Sequence, residues 1–159
     1  MIKKFNKYFL ILIFLLNSNC GYKALENLDS YNLNIIEFKT SGDKRINFKI
    51  KNDLLFKSSK IDKINLVIDL HTTKKKEIKE KNIKNEVTKY KISSIAKVKL
   101  NFKEKNIDKE FIVTSVGNYQ VSNSSYTTDL QSERRLNEDQ AADLSSKIRN
   151  QILLIMNDL

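Results

Sequence analysis

The strictest pattern in the sequence is an alternation of side-chain types from residue 89 to residue 102. Because successive side chains of a β-strand point to opposite faces of a sheet, the pattern predicts a long antiparallel strand with a core side and a basic side. The core side comprises Tyr90, Ile92, Ser94, Ala96, Val98, Leu100 and Phe102. The basic side comprises Lys89, Lys91, Ser93, Ile95, Lys97, Lys99 and Asn101.

Three further segments have strand character. Residues 111–121 alternate again and predict the hairpin partner, in which Gly117 indicates a bulge or a close backbone approach. Residues 61–73 alternate with one apolar face, and residues 31–39 have a β-rich composition before the turn signal Thr-Ser-Gly-Asp. The charged stretch 74–86 has almost no apolar residues, so it predicts a long solvated hairpin loop.

The segment 43–57 favours a helix, with Ser41 or Asp43 as its cap. Its apolar side chains recur at spacings of four, as a buried helix stripe requires. They are Ile46, Ile50 and Leu54. Phe48 alternates with two of these residues, which leaves a strand open as the alternative.

The last segment predicts a second amphipathic helix, capped by Asn137 or by a residue near Thr128. Lys147, Arg149 and Asn150 lie away from its apolar stripe. The stripe comprises Ala141, Leu144, Ile148, Ile152, Ile155 and Leu159.

The resulting element order is β-α-β-β-β-α. It predicts an α+β fold, in which two helices pack on one face of a small, mostly antiparallel four-stranded sheet. Residues 31–159 form this single domain.

The N-terminal segment 1–19 has the layout of a signal peptide. Three lysines precede an apolar run from Phe9 to Leu16 and a polar exit. Eight helical residues span about 12 Å, too little for a bilayer core of about 30 Å. We therefore expect export, and residues 20–30 then form the linker between the signal peptide and the domain.

The composition argues against enzyme chemistry. A single Cys and a single His exclude a disulfide framework and make a multi-ligand metal site improbable. Three Gly and no Pro leave no phosphate-cradling loop. His71 has no second ligand candidate nearby and is expected to be solvated. We predict a protein that is not an enzyme and has no metal or cofactor.

The net charge of +10 allows an anionic partner. Lys89, Lys91, Lys97 and Lys99 share one strand face and are candidates for binding an anionic lipid, since neighbours on that face are about 7 Å apart. The alternative is that they form the solvated side of a half-covered sheet. Export and the lack of aromatic side chains among these lysines argue against nucleic acid.

Cys20 stands where the apolar run ends, and there it resembles the lipid-modified cysteine of bacterial lipoproteins. This resemblance implies a covalent lipid on Cys20 and cleavage before it. Asn19 stands where such proteins usually have a small residue, and the alternative is a buried Cys that acts as a small hydrophobe. Gly21, in place of the Asp that retains lipoproteins in the inner membrane, implies sorting to the outer membrane.

The chain further resembles the lipopolysaccharide-assembly lipoproteins of the LptE family. The similarity lies in the opening CGYKAL at 20–25 and in residues 118–143, where a strand ending in Tyr-x-Val precedes a polar helix. The resemblance implies a lipoprotein on the periplasmic side of the outer membrane that plugs the LptD β-barrel, supports its assembly and assists lipopolysaccharide (LPS) delivery. The alternative is an auxiliary periplasmic lipoprotein of an ABC-type lipid-transport system, which would have an apolar ligand cavity.

Overall fold

The computed structural model describes residues 33–56, 64–122 and 125–158. The predicted signal peptide 1–19, Cys20 and the linker 20–30 lie outside these residues. Within the described ranges, no helix is long and apolar enough to cross a membrane.

The first strand, β1, comprises Leu33–Gly42, so the prediction that it ends at Lys39 was wrong. Parallel pairing with the next strand keeps the predicted turn residues in the ladder as far as Gly42, which pairs with Thr72. Gly42 has a φ of +90°, a conformation that favours glycine, and only there does the chain leave the sheet.

The first helix, α1, comprises Lys44–Phe56, and this confirms the helix over the alternative strand. Asp43 caps it, because its Oδ1 accepts hydrogen bonds from the backbone N–H groups of Arg45 and Ile46 at 3.1 and 3.0 Å. The predicted stripe of apolar residues is buried.

Strands β2 (Ile64–Lys81) and β3 (Val87–Phe102) form one long hairpin. The predicted loop at 74–86 was wrong, since the ladder continues to Lys81 opposite Val87 and leaves a turn only at 82–86. Backbone hydrogen bonds hold this part of the hairpin together whatever the polarity of its side chains.

Strand β4 (Ile107–Gln120) pairs with β3 without a shift in register, so Gly117 does not mark a bulge. The other expectation for Gly117 is confirmed, because a Cβ there would overlap Cδ1 of Leu136 in the last helix. β4 is thus held close to that helix.

The last helix, α2, comprises Tyr126–Asn157. Ser125 is its cap and accepts a hydrogen bond from the backbone N–H of Thr128 at 3.4 Å. Asn137 lies well inside the helix, so its prediction as a cap was wrong. A helix that begins this early reaches across the sheet and lines the space beside α1.

The sheet has the order β1-β2-β3-β4, with β1 parallel to β2 and the other pairs antiparallel. Helix α1 packs against β1, β2 and α2, whereas α2 also packs against β3 and β4. Both helices cover the face that carries the buried side chains, which confirms the predicted α+β architecture and leaves the other face open.

The core between helices and sheet is filled by aliphatic side chains from every element, including Ile50, Leu70, Leu100 and Leu144. Arg149 was predicted to point away from the apolar stripe, but it is buried. The reason is that this side of α2 faces α1, where the Arg149 guanidinium lies 3.9 Å from an Asp53 carboxylate oxygen.

Candidate functional site

The four candidate lysines lie on the open face of the sheet, as the alternation predicted, but the strand separates them into two pairs. Lys89 and Lys91 lie toward the hairpin turn, and Lys97 and Lys99 lie toward the other end of β3. Six residues of strand place the pairs about 20 Å apart. One small headgroup therefore cannot contact all four.

Carboxylates already accompany these lysines. Glu110 of β4 lies 2.7 Å from Lys97 Nζ and 3.6 Å from Lys99 Nζ, and hydrogen bonding to Lys97 lowers the pKa of this carboxyl group. Glu80 lies 2.8 Å from Lys89 Nζ. Solvent screens such exposed pairs and they contribute little to stability, so an anionic ligand could displace the carboxylates.

The same face has an apolar patch, made of Ile95, Ile112 and Val116. Ile95 pairs with Thr114, which places Ile112 and Val116 diagonally on either side of it. All three side chains are exposed, Ile112 most of all at 63%. The lysine pairs flank this apolar patch, so the open face combines positive charge with apolar surface.

An aromatic cluster lies on the opposite, helix-covered face near the hairpin turn. The rings of Tyr90 and Tyr119 stack with centroids 5.6 Å apart, and Lys76 Nζ lies 4.3 Å from the Tyr90 centroid. Lys76 also contacts Glu133 of α2 at 2.6 Å, and the Tyr119 hydroxyl donates to Glu133 at 2.9 Å. The cluster joins the long hairpin to α2.

The charges of this cluster stabilise one another. Burial disfavours the ammonium group of Lys76, but hydrogen bonds to Glu133 and Tyr119 outweigh this effect and raise its pKa. Burial likewise disfavours the carboxylate of Glu133, and the same hydrogen bonds lower its pKa. Tyr119 is buried here, whereas Tyr126 is 80% exposed.

A groove of about 740 Å³ lies between the start of α1, strand β2 and helix α2. We call it the inter-helix groove. Its apolar lining residues are Ile46, Phe48 and Ala141. Its basic lining residues are Lys44, Arg45, Lys49, Lys74 and Arg134, and its acidic ones are Asp43 and Glu138.

No sequence pattern predicted this groove. Its one local signal was Phe48, because a helix with the stripe 46–50–54 directs Phe48 away from the core, and its side chain is 69% exposed. Arg134 and Asn137 come from the other helix, and only the packing of α2 against α1 and the sheet brings them to the same groove.

Among solved structures, several bacterial lipoproteins have the same fold. Rare lipoprotein B from Shewanella oneidensis matches with a TM-score of 0.60 and 10% identity, over 77% of this chain and 97% of that chain. Lipoprotein B from Nitrosomonas europaea matches at 0.54 and 14%, over 83% and 90%. A minor lipoprotein from Acinetobacter baumannii matches at 0.53 and 16%, over 76% and 92%.

No family model and no curated protein sequence matches the chain. The likeness therefore lies in the arrangement of the elements and covers 90% or more of each of those three chains. The described domain has the fold of these bacterial lipoproteins.

Proposed function

We propose that the protein is an outer-membrane lipoprotein that plugs an LptD-like β-barrel, supports the assembly of that barrel and assists delivery of LPS to the cell surface. The observation that carries the proposal is the fold match to rare lipoprotein B, which covers 97% of that chain. In this proposal Cys20, after its signal-like segment, carries the lipid that holds the domain at the membrane. The protein acts by binding and not as an enzyme.

The open face supports a role in handling anionic lipid. The phosphates and carboxylates of an LPS headgroup would compete with Glu110 and Glu80 for the lysine pairs. The apolar patch between the pairs would contact less polar parts of the ligand. Because the pairs are about 20 Å apart, the proposal requires a ligand with several charged groups.

The filled core favours this function over the alternative, an auxiliary lipoprotein of an ABC-type transporter. That alternative predicts an apolar cavity for a lipid. In the described part of the chain, apolar side chains fill the space between helices and sheet, and the inter-helix groove lies outside this core with charged residues from both helices in its lining. This arrangement suits a plug better than a lipid carrier.

The proposal is tested by affinity purification of the tagged full-length protein from detergent-solubilised outer membranes, with labelled palmitate in the growth medium. We expect co-purification with a large β-barrel and palmitate labelling that is lost in Cys20→Ala. Fractionation with inner-membrane transporter components would favour the alternative. Recovery without any barrel would refute the plug function.

Lipid binding is tested separately with Lys89, Lys91, Lys97 and Lys99 all changed to alanine. We expect binding to purified LPS to weaken about tenfold or more, because several charged contacts are lost together. The matched control removes the same charge from exposed lysines elsewhere. These are Lys84, Lys103, Lys105 and Lys109. Equal weakening in both variants would identify the four strand lysines as a solvated face without a specific role.

A further inference from the structure

We propose that the inter-helix groove binds an acidic, extended peptide segment of a partner protein. The inference goes beyond the proposed function, because it concerns a different surface from the open sheet face and does not require the partner to be a β-barrel. It rests on the charge of the groove, on a buried amide within it and on the shape of its lining.

The charge of the groove is unbalanced. Asp43 is already engaged, because it caps α1 and lies 3.8 Å from Lys74 Nζ. Arg45, Lys49 and Arg134 form no ion pair with any residue that the structure describes. These three cations surround the groove from two helices, with Glu138 as the other acid. Carboxylates are the complementary ligand, and the two arginines can each bind one through two parallel hydrogen bonds.

The amide of Asn137 gives the groove a position for a hydrogen-bond donor, which a peptide backbone supplies and a phosphodiester group does not. Its Oδ1 is buried and has no hydrogen-bond partner among the described residues. A buried acceptor of this kind requires a donor. A phosphodiester offers acceptors only, whereas a peptide backbone offers both an N–H and a C=O. A side-chain amide can pair with a peptide group in either orientation.

The size and the lining of the groove suit a short peptide. Its volume of about 740 Å³ lies within the range of about 300–1,000 Å³ that is usual for compact ligand sites. Its apolar residues are Ile46, Phe48 and Ala141, and they offer a contact surface for apolar side chains of such a peptide. Phe48 is the exposed aromatic contact, and interfaces commonly have a central aromatic residue with arginine nearby.

The first experiment places a photocrosslinking phenylalanine analogue at position 48 of the full-length protein in cells. Position 112 on the open face is the control. We expect position 48 to crosslink to a protein, at a segment that mass spectrometry maps to a stretch with at least two Asp or Glu residues. Position 112 should not crosslink to that segment. Crosslinks only to lipid, to a basic or neutral segment, or to nothing would overturn the proposal.

The second experiment measures binding of the mapped segment, made as a fluorescent peptide, to the detergent-solubilised full-length protein. Arg134→Glu should weaken binding about tenfold, since it replaces an attraction by a repulsion at the rim of the groove. The matched control is Arg135→Glu, an exposed arginine next to it that does not line the groove; we expect less than a twofold effect. Equal effects, or none from Arg134→Glu, would refute the assignment.

Anionic phospholipid vesicles serve as a competitor in the same assay. Full displacement of the peptide by vesicles, together with direct vesicle binding that Arg134→Glu abolishes, would assign the groove to lipid and overturn the peptide proposal. The β-barrel is scored by co-purification in the same cells. Loss of the barrel with an intact crosslink at position 48 would refute the plug function alone, whereas the barrel without the crosslink would refute the groove proposal alone.

Discussion

Replacement of Gly117 by alanine tests whether the close approach of β4 and α2 sets the stability of this domain. The new methyl group would overlap Leu136 Cδ1 and would lie 3.5 Å from Gln140 Nε2. Gln140 is buried and donates to the Ile92 carbonyl at 2.8 Å, so it cannot move without losing that bond. Leu136, which is half-buried, must therefore move.

The expected cost follows from two opposing terms. Overpacking of this kind costs about 1–3 kcal/mol. Replacement of a glycine by alanine in a strand interior, without a clash, raises the free energy of unfolding by about 0.5–1 kcal/mol. We therefore expect Gly117→Ala to lower the free energy of unfolding by about 1–2 kcal/mol. The measurement is urea unfolding followed by circular dichroism, on a chain that begins at Gly21 and so lacks the lipid.

A double-mutant cycle with Leu136→Ala identifies the cause. If the overlap with Leu136 is responsible, alanine at position 117 becomes neutral or stabilising in the Leu136→Ala background, with a coupling of about 1–2 kcal/mol. Val116→Ala, on the open face of the same strand, is the control and should change stability little. The reasoning is refuted if Gly117→Ala costs the same in both backgrounds.

Three further changes probe other parts of the domain. Glu133→Gln removes the carboxylate that binds Lys76, and should cost about 0.5–1 kcal/mol at neutral pH. The pKa of Glu133 is lowered in the folded state. The loss of stability in the variant should therefore be present above the unfolded-state pKa of about 4.3 and disappear as the pH falls through the folded-state pKa. A loss of stability that stays constant from pH 2 to 7 in urea unfolding would contradict this. Gln140→Leu removes the acceptor for the buried Ser94 hydroxyl and a donor to the Ile92 carbonyl, and it should cost about 1–3 kcal/mol by the same assay; a smaller effect would mean that water replaces the amide. Gly42→Ala should be the most destabilising, at about 3 kcal/mol or more, since it combines a positive φ with overlap of the Thr72 backbone, whereas Ser41→Ala should have little effect.

Both helices and all four strands were predictable because their patterns are local. Ile46, Ile50 and Leu54 recur at the helical period, and the core side of β3 recurs at the strand period. The spacing of apolar residues differs clearly between strands and helices. The element order β-α-β-β-β-α, and with it the α+β class, could therefore be predicted from the sequence.

The long hairpin was the main failure of prediction. Beyond Thr73 the chain has no apolar alternation, yet the ladder continues to Lys81. Lys76 would be unfavourable on the helix-covered face by itself. It is accommodated there because Glu133 and two tyrosine rings surround it, and these come from α2, β3 and β4.

The candidate sites also differ in how far the sequence could predict them. The lysines of β3 share a face because of strand periodicity alone, so their placement could be predicted from the sequence. That Glu110 and Glu80 lie beside them could not be predicted, because the register between neighbouring strands determines which side chains are adjacent. The inter-helix groove had only Phe48 as a local signal.

The sequence by itself determined the elements, the buried face of each one and the basic side of β3, because these depend on periods of two or 3.6 residues within one segment. Only the tertiary structure decided which charges are paired and where a groove forms. Arg45 and Arg134 are far apart in the chain, and no local sequence pattern predicts that α1 and α2 place them at the same groove.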